Sequence, residues 1–100
     1  MSKITTTEEA DAFVKQNASG ITSLNNAIPV VTGEPNVIEG EDIKYWRILF
    51  SNPEKPDKEP QPLMGSEKFL ADNGQIISKG VTPNPQPFKD WFLEQYDRNA

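Results

Sequence analysis

The sequence predicts an α+β fold in which an N-terminal helix and a short C-terminal helix pack on an antiparallel sheet of about four strands, centred on residues 44–50. Three observations carry that expectation. The stretch TTTEEADAFVKQNASG has helical periodicity behind threonine caps, IKYWRILFS alternates large apolar side chains as a strand does, and SEKFLA and QIIS flank Asp-Asn-Gly, a hairpin signal.

In the first segment Thr5 and Thr6 each stand three residues before a glutamate, Glu8 and Glu9. That is capping-box spacing, so a helix starts near residue 6 or 7. Ala10, Phe13 and Val14 form its apolar stripe with Ala18 beyond them, and acids occupy the first turn, where the helix dipole favours them. Gly20 stands where a C-cap is expected. Farther on, the largely β-branched run from Ile28 to Thr32 is bounded by Gly33 and Pro35, which fits a short strand, and Pro29 suggests a sheet edge. NVIEGED then reads as a loop or strand end carrying three acids around Gly40.

IKYWRILFS is the strongest strand signal. It puts Trp46, Ile48 and Phe50 on one face, which must be core, and Tyr45, Arg47 and Leu49 on the other, an amphipathic face suited to partial cover by a loop or to contact with a partner. NPEKPDKEPQP, residues 52–62, holds four prolines, five charges and no apolar anchor, so it reads as an exposed, partly polyproline-like connection. In the hairpin, Asn73-Gly74 suits a type I′ or related turn, and the two strands extend the Trp46 sheet and bury one side. Phe88, Trp91, Phe92 and Tyr96 recur at helical spacing behind Pro87, which suits a first helical turn because its missing N–H has no partner there.

One hundred residues with 35% apolar content suffice for one domain, 1–100, and one modest core. The chain has no cysteine, which excludes disulfides and thiolate metal sites and favours a reducing compartment. No apolar run approaches the roughly 20 residues a spanning helix needs. The expectation is therefore a soluble, cytoplasmic protein that does not engage membranes. Its charge is lopsided: residues 1–42 carry two lysines against seven acids, a net of −5, whereas the remaining basic and acidic residues balance. Such a field repels nucleic acid and attracts a cationic partner.

Chemistry is sparse. With neither histidine nor cysteine, a serine nucleophile would depend on lysine, and the Ser66–Lys68 pair is a spacing that chance produces often. Glu39, Glu41 and Asp42 form the densest carboxylate group but lack the order of a calcium loop, and no glycine-rich phosphate cradle is present. The sequence implies no catalytic, metal or cofactor residues. It points instead to a non-catalytic binder whose contact surface combines Glu39, Glu41 and Asp42 with Tyr45 and Arg47 from the amphipathic strand face.

Trp46 and Phe50 on a strand, then Leu63 and Gly65, Phe69-Leu70 with Asp72, Gly74 and Ile76, then Gly80, Pro87 and an aromatic C-terminal helix together resemble the YrhB-like family of small bacterial immunity proteins. That resemblance implies an N-terminal helix followed by a sheet, and either neutralisation of a toxin or chaperone-like binding. The expected partner is thus a protein with a basic surface, a toxin or a nucleic-acid-binding enzyme. Two alternatives fit the same composition: a phage-encoded counter-defence inhibitor, of the anti-CRISPR or anti-restriction type, and an accessory subunit of a larger assembly.

Overall fold

A computed structural model describes residues 3–21, 27–55, 57–62, 66–80 and 87–98. The elements run α1 (Thr7–Gln16), a single turn α2 (Ala18–Ile21), β1 (Ile28–Val30), β2 (Asn36–Ile38), β3 (Ile43–Ser51), β4 (Ser66–Ala71), β5 (Ile76–Gly80) and α3 (Phe88–Gln95). The expected α+β architecture is present, with helices packed on an antiparallel sheet.

The sheet has five strands but is four strands wide. β1 pairs with the C-terminal end of β3 through Ile28↔Ser51 and Val30↔Leu49, and β2 pairs with its N-terminal end through Asn36↔Tyr45 and Ile38↔Ile43. β1 and β2 thus behave as one strand interrupted by residues 31–35. Helix α1 holds that interruption in place. The Val31 N–H donates to Asp11 Oδ1 at 3.0 Å, and the Thr7 hydroxyl donates to the Gly33 carbonyl at 2.5 Å. Pro29 is at the edge, as expected. It lies opposite Phe50, whose N–H and C=O are both bonded to Gln61 on the other side of β3, so no ladder bond is lost at the proline.

Thr6 caps α1 by accepting from the Glu9 N–H at 3.1 Å, while the Thr5 and Thr6 hydroxyls both donate to the Glu9 carboxylate. The helix does not end at Gly20. It ends at Gln16, because Asn17 caps it with both its backbone N–H and its side-chain amide, the latter donating to the Phe13 carbonyl at 2.8 Å, and Gly20 lies within α2.

The two faces of the sheet are buried differently. On one, Trp46, Ile48, Phe50 and Leu70 meet Ala10 and Val14 of α1 together with Ile21 and Val31. On the other, Ile38, Ile43, Phe69, Ala71 and Ile77 meet Phe92 of α3, with Tyr45, Phe88, Trp91 and Tyr96 around it. The β4–β5 hairpin therefore buries both sides, not one, because a helix packs on each face. Its turn also differs from a two-residue type I′ form. Leu70 pairs with Ile76, Ala71 bonds to Gln75, and Asp72-Asn73-Gly74 make a three-residue loop in which Gly74 alone takes a positive φ, +88°.

In the connection the sequence reads at 52–62, the described residues 52–55 and 57–62 form hydrogen-bonded turns rather than an extended strand. Asn52 accepts from the Glu54 and Lys55 N–H groups, Lys55 accepts from Lys58, and Gln61 then returns to pair with Phe50. Most of the segment is exposed, as its composition requires. Leu63 and Gly65, cited for the family likeness, and the prolines at 83 and 85 lie outside the described residues. No helix is long and apolar enough to cross a membrane among the described residues.

Candidate functional site

The five residues expected at a contact surface fall in two adjoining places. Glu39, Glu41 and Asp42 form the tight turn between β2 and β3, in which the Glu41 N–H donates to the Ile38 carbonyl at 3.1 Å. Gly40 and Asp42 both adopt positive φ, +83° and +53°, so the chain reverses over four residues and turns its side chains outward.

The three acids are not equivalent. Glu39 and Asp42 are exposed, and neither carboxylate makes a hydrogen bond or ion pair among the described residues. Glu41 is engaged: Arg98 donates to it at 2.8 Å. That hydrogen bond holds the Glu41 carboxyl below its ordinary pKa against a smaller opposing effect of burial, and the charges of Arg98 and Lys89 add to the lowering. Asp42 also borders a cleft of about 180 Å3 lined by Lys3, Ile4, Thr5, Lys44 and Asp72.

Tyr45 and Arg47 belong to a second feature, a groove of about 530 Å3 on the α3 side of the sheet, whose lining among the described residues is completed by Asn36, Glu67, Phe69 and Phe88. An eight-residue helix is about 12 Å long, whereas a nine-residue strand runs about 30 Å, so among the described residues α3 alone does not span that face. Tyr45 is half-buried, with ring centroids 5.9 Å from Phe69, 5.2 Å from Phe88 and 5.0 Å from Phe92. Burial pushes its hydroxyl pKa upward, with the Arg47 charge opposing. Arg47 is exposed, pairs with Glu67 at 3.3 Å and stands 5.8 Å from the centre of the Phe69 ring.

Sequence reasoning did not connect Asn36, Glu67, Phe69 and Phe88 with Tyr45. The strand alternation was readable, but bringing them together required the Asn36↔Tyr45 and Arg47↔Phe69 registers and the direction of α3. A buried acid, Asp72, was also missed as a structural centre. It is 3% exposed, and its carboxylate accepts from the Lys44 N–H at 3.1 Å and the Tyr96 hydroxyl at 2.6 Å, while its carbonyl accepts from the Ile4 N–H at 2.7 Å. Lys68 donates to Ser78 on the neighbouring strand at 2.9 Å. No group of three or more acids is placed to hold a metal ion among the described residues.

Comparison with protein-family models, curated proteins and solved structures finds no match to this chain.

Proposed function

We propose that this chain is a non-catalytic binding protein, an immunity-type or inhibitory module that covers a positively charged surface of a target protein. The observation that carries the reading is the β2–β3 turn, which presents the exposed carboxylates of Glu39 and Asp42 at the tip of a hairpin. The turn closes the first segment of the chain, residues 1–42, whose net charge is −5. Exposed carboxylates keep their hydration until a partner arrives, and a field of one sign accelerates encounter with the opposite sign. Tyr45 and Arg47 adjoin the turn and supply an amphipathic surface where short-range contact can follow. The likeness to the YrhB-like immunity family agrees with this reading.

The test compares the immobilised parent chain with a Glu39→Lys/Asp42→Lys variant in lysate from its natural source, at low and high salt. The parent is expected to retain basic proteins that high salt releases and that the variant does not hold. Retention of the same proteins by the variant removes the turn from the contact, and turnover of a small molecule by the purified chain ends the non-catalytic reading.

A further inference from the structure

We infer that Asn73, in the loop of the β4–β5 hairpin, is a site of spontaneous deamidation that the folded loop restrains, and that its conversion releases the end of α3. Among the asparagines of the chain it alone is followed by glycine. Attack on an asparagine side chain comes from the backbone nitrogen of the next residue, and glycine leaves that nitrogen unhindered because it has no Cβ. Asn52 and Asn84 precede proline, whose nitrogen has no proton to give up.

The reaction needs only water. The Gly74 nitrogen, having lost its proton, attacks Asn73 Cγ. A Cγ–N bond forms, the Cγ–Nδ2 bond breaks, and the departing Nδ2 takes up a proton and leaves as ammonia. Water then opens the cyclic imide at either carbonyl carbon. Attack at Cγ breaks the new bond and gives aspartate, whereas attack at the Asn73 backbone carbon breaks the original peptide bond and gives isoaspartate, with Cβ and Cγ in the main chain. Each route consumes one water and releases one ammonia, and neither needs an oxidant or a reductant.

The closed loop restrains each participant. The Gly74 N–H is donated to the Ala71 carbonyl at 3.1 Å, so the nucleophile gives up its proton only when that bond opens. The Asn73 carboxamide is held at both ends. Its Oδ1 accepts from the Gln75 N–H at 2.8 Å, and its Nδ2 donates to the Asp97 carbonyl at 2.9 Å and to Gln75 Oε1 at 3.3 Å. Closing the imide breaks these bonds, so the reaction runs through an opened loop. Opening also frees α3, because Gln75 bonds to the Gln95 carbonyl and the Asp97 N–H, and Tyr96 donates to Asp72. Neither product restores that hold. Aspartate has no N–H for the Asp97 carbonyl and sets a second carboxylate beside buried Asp72. Isoaspartate lengthens a three-residue loop whose span is fixed by the Ala71–Gln75 bond.

The test incubates the parent chain at mildly alkaline pH, folded and in urea, and follows residue 73 by peptide chromatography and mass spectrometry. Asn73 is expected to convert in urea ahead of the other asparagines, and at least about ten-fold more slowly in the folded parent. An unfolded chain that keeps Asn73 intact overturns the site, and equal rates in the two states overturn the restraint. In the folded chain Tyr96→Phe should speed conversion about five-fold or more, whereas Ile48→Val, which loosens the core on the α1 face, should not. Equal acceleration by both variants places the reaction in the globally unfolded chain and overturns the local opening. The Asn73→Asp chain tests the consequence. Its Trp91 and Tyr96 amide hydrogens, donated to the Pro87 and Phe92 carbonyls, should exchange about ten-fold faster than in the parent, while that of Ala10 in α1 is unchanged. Parental exchange at both α3 positions overturns the release of the helix.

Discussion

The Tyr96 hydroxyl donates to the carboxylate of Asp72 across 2.6 Å, joining the residue that ends α3 to the turn of the β4–β5 hairpin. The same turn holds the chain on two more sides. Asn73 donates to the Asp97 carbonyl at 2.9 Å, Gln75 accepts from the Asp97 N–H at 2.8 Å and donates to the Gln95 carbonyl, and the Asp72 carbonyl receives the Ile4 N–H. A hairpin without catalytic residues therefore serves as a clasp, closing α3 onto one face and the N-terminal segment onto the sheet.

Removing the clasp's central bond should be measurable. Tyr96→Phe leaves one oxygen of a buried carboxylate without its donor and is expected to cost about 1 to 3 kcal/mol in urea unfolding. Burial, followed by the hydrogen bond and charge of Asp72, pushes the Tyr96 hydroxyl up to about 12 from its ordinary 10.0. The folded state then holds that proton more tightly than the unfolded state, so its contribution is complete below pH 10 and is lost as pH rises from 10 to about 12. The variant should show a weaker decline across that window, and a decline identical to the parent's would detach Tyr96 from it.

Each face of the sheet requires its own core. Trp46 is 1% exposed and donates its indole N–H to Thr7 at 3.2 Å, while Phe92, on the sheet-facing side of α3, is fully buried. Trp46→Ala and Phe92→Ala should each cost about 3 to 5 kcal/mol in denaturant titrations. A Phe92→Ala chain that unfolds like the parent would show that α3 adds nothing to stability.

Gly74 tests the hairpin turn. Its φ is +88°, and an added Cβ would meet the Phe13 ring at 3.6 Å, an ordinary contact, so only the backbone objects. Gly74→Ala should cost about 1 to 2 kcal/mol, the left-handed penalty of a residue with a Cβ. Gly33, at φ +80° with nothing near its Cβ position, should lose a similar amount when changed to alanine. A much larger loss at Gly74 would point to strain in the clasp rather than in the dihedral angle.

Charge reversal at the acidic turn should act on rate. Against a purified basic partner, Glu39→Lys/Asp42→Lys is expected to slow association about ten-fold at low salt and to flatten its salt dependence, with little change in dissociation. Glu41 is left intact because its ion pair with Arg98 joins the turn to the end of the chain. An association rate unaffected by both substitutions removes these residues from the encounter surface.

The sequence by itself determined the elements: threonine caps and an apolar stripe made α1, a run of large apolar and β-branched residues with Trp46, Ile48 and Phe50 on one face made β3, Asn-Gly marked the hairpin, and aromatic spacing behind Pro87 made α3. These are legible because they are local, resting on dihedral preference and the side-chain periods of 3.6 and 2. Only the tertiary structure decided that α1 and α3 take opposite faces, so that Tyr45 enters a second core while Arg47 beside it remains in solvent. It also decided that Asn17 outcompetes Gly20 as a cap, that Glu41 is occupied by a residue 57 positions away, and that Asn36, Tyr45 and Phe88 line one groove. Such outcomes depend on register and on which distant partner satisfies a polar group, and no local preference encodes either.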